Sequence, residues 1–132
     1  MTIFSKIIKG DIPSYRIAED DKFYAFLDIA PLAEGHTLVV PKVEIDKFFD
    51  VPDAYLAEYL LFAKKVADAL ERSFDCDRIG ISVIGLEVPH AHMHLIPINQ
   101  MNDMNFARPK LQLTPEQFKE IQEKILANFG ER

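Results

Sequence analysis

Three of the four histidines in this chain fall in one eight-residue run, His90-Ala91-His92-Met93-His94-Leu95-Ile96-Pro97. On an extended strand alternate side chains share a face, so the three imidazoles would line up while Ala91, Met93 and Leu95 point the other way. Same-side neighbours on a strand stand about 7 Å apart, close enough to touch one phosphate, or one metal ion, together. A neutral imidazole attacks phosphorus near neutral pH without prior deprotonation. His-x-His on a strand is also a good start to a Zn²⁺ site, which a third histidine would complete as an open catalytic centre. A lone strand histidine is ordinarily a satisfied core or surface residue, and three in alternation weaken that plainer account.

The fourth histidine lies within Phe26-Leu27-Asp28-Ile29-Ala30-Pro31-Leu32-Ala33-Glu34-Gly35-His36-Thr37-Leu38-Val39-Val40-Pro41-Lys42. Gly35 permits a tight turn, and His36 then opens an apolar strand in which a polar ring needs a partner. The imidazole row can supply one.

The elements that would hold these residues are legible from periodicity. Ile3, Phe4, Ile7 and Ile8 recur at helical spacing before Gly10 supplies a stop, predicting a short helix. Strands are expected at Tyr15–Ala18, Phe23–Leu27 and His36–Val40, separated by the turn-rich stretches AEDD and PLAEG. From Pro52 to Phe74 the residues Leu56, Tyr59, Leu60, Ala63, Val66, Ala67, Leu70 and Phe74 trace one face of a long helix. Two more strands, Ile79–Ile84 and Ala91–Pro97, flank the short stretch GLEVP. Thr114, Pro115 and Gln117 spell a capping box, with Leu113 and Phe118 as its hydrophobic staple. A C-terminal helix over about 114–129 follows, burying Phe118, Ile121, Ile125 and Phe129 and closed by Gly130. The expected class is α+β, a five-stranded antiparallel sheet with helices covering one face.

Composition narrows what such a domain could serve. The 132 residues, 48% of them hydrophobic, suit a single domain with one real core and no low-complexity linker. No apolar run reaches the roughly 18 residues a membrane span needs, and MTIFSKIIKGDIPS lacks the apolar centre of a signal peptide. With one cysteine, Cys76, an intramolecular disulfide is excluded, and a reducing compartment, the cytoplasm, is expected. Fifteen Lys and Arg against 21 Asp and Glu give a net charge of -6, which disfavours a nucleic-acid groove. A small nucleotide stays open, because local dipoles and neutral donors can bind phosphate on an acidic protein.

The motif H-x-H-x-H, joined to the upstream D-I-x-P-x-x-x-G-H-x-L-V-x-P-K segment, resembles the histidine triad (HIT) family. The resemblance runs from about Ile3 to Pro97. The start IFSKIIKGDIPSYRI with EDDKFYAFLDI is most similar to the Hint-like branch, formerly called protein kinase C inhibitor-like. The resemblance implies that His92 is a nucleophile carrying a transient nucleotidyl group, its second nitrogen held by a backbone carbonyl near His90. It further implies that His94 contacts phosphate or leaving-group oxygens and that His36 and His90 complete the polar network. Asp28 would accept the ribose hydroxyls, and Ile3, Phe4, Ile7, Phe26 and Ile29 would form an apolar slot for the base. Gly85 and Val88 would border the nucleotide. The plain alternative for the apolar residues is core. The implied substrates are purine nucleoside phosphoramidates, adenylates or dinucleoside polyphosphates, with no cofactor and no metal, in a homodimer joined edge to edge.

Two departures from the family pattern stand out. Typical members carry a longer loop with Ala/Gly-Gly-Gln before the triad, whereas this chain reads Ile84-Gly85-Leu86-Glu87-Val88-Pro89. Leu86 cannot hydrogen-bond through its side chain and an ionised Glu87 repels phosphate at close range, so anionic leaving groups are expected to fare worse than amines. Some relatives bind zinc through an N-terminal Cys-x-x-Cys, whose places Thr2 and Ser5 hold here. Two rivals follow: a His-ligated zinc-dependent hydrolase, and a nucleotide-binding module with little turnover.

Overall fold

The structure, a computed structural model, describes residues 1–130. Helix α1 (Ile3–Lys9) leads into β1 (Arg16–Glu19), β2 (Phe23–Leu27) and β3 (Thr37–Pro41). Helix α2 (Asp53–Ser73) then crosses to β4 (Arg78–Ser82) and β5 (Met93–Ile98), and α3 (Pro115–Leu126) follows. The strands form one five-stranded antiparallel sheet in the order β1-β2-β3-β5-β4. The α+β expectation holds in element count and sheet type.

Side-chain alternation divides the central strands between two apolar layers. Phe23, Ala25 and Leu27 of β2, Val39 of β3, and Met93 and Leu95 of β5 pack with α2 and α3 in the main core. Tyr24, Phe26, Leu38 and Val40 face the other way and pack against Phe4 and Ile7 of α1. The helices therefore do not share one face, contrary to the sequence reading. Because both sides are covered, all five residues of β2 and of β3 are buried.

Helix α2 docks through Tyr59, Phe62, Ala63, Val66, Ala69 and Leu70, and the Tyr59 hydroxyl donates to the Val39 carbonyl at 2.5 Å. Leu60, expected on this face, is 62% exposed. At 3.6 residues per turn it stands about 100° round from Tyr59, outside the arc that meets the sheet. The capping box of α3 forms as the sequence indicated: Thr114 accepts from the Gln117 amide and the Gln117 side chain accepts from the Thr114 amide. The helix ends at Leu126, short of 129, and Phe129 packs on the core from beyond it. Among the described residues no helix is long and apolar enough to cross a membrane.

Two strand boundaries shift in ways that matter. β5 begins at Met93, so of the three histidines in the run only His94 lies within the sheet. Its pairing with β3 ends at Val39↔Met93, and before it the chain bonds elsewhere, Ala91 donating its amide to the Ile45 carbonyl at 2.7 Å. β3 begins at Thr37, because His36 is still in the turn, its amide donating to Ala33 O at 3.1 Å. Gly35 makes that turn with φ +91°, and a Cβ there would lie 2.4 Å from the Phe74 ring.

Candidate active site

His94 projects from β5 on the side opposite Met93 and Leu95, where the ring of His36 meets it. The amide of Leu32 donates to His36 Nδ1 at 3.0 Å. In the neutral ring the proton must therefore sit on Nε2, which donates to His94 Nδ1 at 2.9 Å. That contact in turn places the remaining proton of His94 on Nε2. Burial, reinforced by the neighbouring His94 and Lys110, drives the pKa of His36 down to about 3. Burial and the nearby His92 bring His94 down to about 4. Both rings are thus neutral near pH 7, and their tautomers form a one-way chain of donors.

His92 is held from the backbone. Its Nδ1 lies 2.8 Å from the carbonyl of His90, an acceptor only, so Nδ1 carries the proton and Nε2 carries the lone pair. Phe4 packs edge-on against the His92 ring at 5.0 Å, and His94 flanks it at 5.1 Å. His90 serves differently, being fully buried. Its Nε2 donates to the Pro41 carbonyl at 2.8 Å, which leaves Nδ1 to accept from the Thr2 hydroxyl at 2.8 Å. Thr2 also caps α1, accepting from the Ser5 amide at 3.1 Å. Glu44 accepts from the Thr2 amide at 2.6 Å and from the Ser5 hydroxyl at 2.7 Å.

A cavity of about 250 Å³ opens between these groups. Its polar wall is Asp28, His36, Glu87, His92, His94 and Lys110, and Ala30, Ile84, Gly85, Leu86 and Phe106 complete it. Asp28 Oδ1 accepts from the Ala30 amide at 2.9 Å, and Oδ2 stands 3.6 Å from His36 Nε2. Burial raises the Asp28 carboxyl above its ordinary value; the Ala30 amide, His92 and Lys110 pull it down, while Glu87 pushes it up. His92 also borders a second hollow beneath Phe48 and Phe49, which shares the Ile84–Leu86 wall.

The cavity thus gathers Asp28, His36, His92, His94 and Gly85 from the residues singled out in the sequence. His90 stands behind it. Phe4, Ile7, Phe26 and Val88 belong to the apolar layer under α1, which is the plain reading of those residues. Ile3 and Ile29 are 48% and 75% exposed and line neither hollow. Sequence reasoning missed Phe106 and Lys110. They sit in a non-repetitive stretch after the last strand, and no periodicity or motif marks them.

A family model for the HIT domain matches residues 9–101, a stretch that holds Asp28, His36 and the whole His90–His94 run. The chain belongs to the HIT family. It is 40% identical to a HIT-like protein of Borreliella burgdorferi over 96% of this chain and 97% of that one. It is 36% identical to the adenosine 5'-monophosphoramidase hnt1 of Schizosaccharomyces pombe, covering 93% of this chain and 94% of that protein. The crystal structure of a HIT-like protein involved in cell-cycle regulation from Bartonella henselae, with an unknown ligand, superposes with a TM-score of 0.85. That pair is 32% identical and spans 97% and 96% of the two chains. A HIT-family nucleotide hydrolase is the activity class these likenesses support.

Neither candidate metal set fits a resident ion. Asp28, His36 and His94 bring one donor atom each within 4.8 Å of the others. To ligate through Nε2, His36 would have to move its proton to Nδ1, where it would oppose the Leu32 N–H that now donates there. At the N-terminus, Thr2 and Ser5 offer hydroxyls in place of thiolates, and those hydroxyls are already bonded to His90 and Glu44.

Proposed function

We propose that the chain is a Hint-like HIT enzyme, one domain throughout, that cleaves purine nucleoside phosphoramidates and amine-linked adenylates. The observation that carries this reading is the bond from His92 Nδ1 to the His90 carbonyl, which leaves the Nε2 lone pair for phosphorus. His92 Nε2 attacks the α-phosphorus as the phosphorus–nitrogen bond to the amine breaks, and the amine departs with a proton taken from solvent, which the attacking water of the second step returns. Water then attacks the nucleotidyl-histidine, restoring the imidazole and releasing the nucleoside monophosphate. Two in-line displacements retain configuration at phosphorus. His94 Nε2–H donates to a phosphoryl oxygen, a contact that strengthens as charge develops there. Asp28 accepts the ribose hydroxyls. The S. pombe relative's name as a phosphoramidase supports the substrate class.

The protein would work in the cytoplasm as a homodimer. β4 is an edge strand whose Ile81 is half exposed, and Val83, Ile84 and Leu86 continue that apolar border. Replacing Ile81 with Lys should shift the sedimentation coefficient towards the monomer.

Turnover of a fluorogenic adenosine phosphoramidate tests the central claim. His92→Asn should lower it by several orders of magnitude while leaving the melting temperature and nucleotide binding nearly unchanged. Mass spectrometry of quenched enzyme should find the nucleotidyl adduct on the His92 peptide alone. Wild-type activity that disappears with chelator and returns with Zn²⁺ would replace this reading with the metal-dependent one. Tight nucleotide binding without turnover would favour the binding module, the reading that Leu86 and Glu87 support.

A further inference from the structure

The cavity wall is completed by a segment the HIT family model does not reach. Residues 105–111 lie beyond the matched stretch, yet they are firmly braced. The amide of Leu111 donates to Pro31 O at 2.9 Å, tying the segment to the turn that follows Asp28. Arg108 donates to Asn102 O at 3.0 Å and approaches Asp103 at 3.4 Å. The Phe106 ring packs against His94 at 4.8 Å and His36 at 6.1 Å. The Lys110 ammonium is folded back onto the carbonyls of Phe106 at 2.5 Å and Arg108 at 3.1 Å, which leaves one N–H uncommitted.

Asp28 and Glu87 put two acidic side chains on the wall, and among the described residues Lys110 is the one Lys or Arg there, so the formal side-chain charge is -1. The paired rings of His36 and His94 add none. A substrate that carries its own negative charge enters against this balance.

We propose that Lys110 is a specificity-determining residue of the site: its ammonium offsets the single negative charge of a phosphoramidate or adenylate, while Glu87 on the same wall disfavours the added charges of a polyphosphate. The inference rests on the nucleotide reading of the cavity. It refines the expectation drawn from Leu86 and Glu87, because the cavity wall carries a cation as well as that acid. Lys110 acts on the substrate's charge and takes no part in bond making, and its opposition to Glu87 is what sets the cut-off.

The test compares wild type, Lys110→Gln, Glu87→Gln and the double variant, with Lys110→Arg as the conservative control. Calorimetry measures adenosine, AMP, ADP and ATP binding, and steady-state kinetics compare adenosine phosphoramidate with diadenosine polyphosphates. In K110Q, AMP should bind roughly tenfold more weakly and adenosine almost unchanged, with the deficit growing along the phosphate series. E87Q should shift the same series the other way, improving ADP and ATP most. K110R should match wild type. The double variant should return towards wild-type selectivity, although a glutamine side chain cannot brace the loop as Lys110 does, which separates charge from loop packing. If K110Q weakens adenosine and AMP equally, or E87Q leaves the series unmoved, the proposal falls while the nucleotide reading stands. Failure of all four ligands to bind would overturn both.

Discussion

Thr2 reaches the nucleophile without touching it. The Pro41 carbonyl sets the tautomer of His90, the Thr2 hydroxyl pins the other end of that ring, and the His90 carbonyl then orients His92. Thr2→Val should therefore lower kcat roughly ten- to hundredfold with little change in KM, as loss of an orienting partner does at other sites. ¹⁵N imidazole spectra should show exchange broadening at His90 or His92 as the ring loosens, and Thr2→Ser should restore both readouts. A kcat that survives Thr2→Val would mean that the Pro41 contact alone holds the ring. Asp28 makes the opposite kind of contribution. Burial raises its pKa, so the ionised form costs stability in the unliganded protein at neutral pH. Asp28→Asn should raise the melting temperature by a few degrees and weaken nucleosides far more than inorganic phosphate. Equal weakening of both ligands in calorimetry would remove Asp28 from the ribose.

At the level of elements, the turn before β3 aims His36, and its tolerance is narrow. Gly35→Ala would force a left-handed φ on alanine and drive a methyl group into Phe74 at the end of α2. The cost should be about 2–5 kcal/mol by chemical denaturation, and Phe74→Leu in the same chain should recover part of it. An unchanged midpoint in the single variant would show that the turn relaxes freely. Gly35, the α2 periodicity and the Thr114 capping box were all legible in the sequence, since each is a local signal with a local physical cause. Where β3 and β5 begin was not, although both ends of β2 were. His90 and His92 leave the sheet because Pro41 and Ile45 offer partners from a distant stretch, which period-two reasoning cannot contain. The placement of α1 on the far face was hidden for a related reason: Tyr24 and Phe26 read as apolar whichever layer covers them. Lys110 carried no signal, because a charged residue in a loop is usually solvated.

For the molecule as a whole, the paired histidines predict an acid-side instability. Folded His36 and His94 titrate at about 3 and about 4, whereas unfolded histidine takes up its proton near 6.5. The unfolded chain thus binds more protons throughout that window, and stability must fall as pH drops from about 6.5 towards 3. Denaturation midpoints measured at pH 7.5 and 5 should show the loss, and His36→Asn should flatten it; an identical slope in that variant would assign the effect to other groups. A different consequence follows from the two-layer sheet, with main-core side chains and site-side residues alternating along the same strands. One inserted residue would exchange the two sets within its strand: in β3 it would swap Val39 with Leu38 and Val40, and in β5 it would turn His94 into the main core and Met93 or Leu95 towards the site. An insertion scan across the gene should therefore find β3 and β5 closed to length change, while the Val83–Pro89 loop, outside every strand register, tolerates it. In this scaffold loop length is free to drift, and with it the fit to a leaving group, while the chemistry is locked in phase.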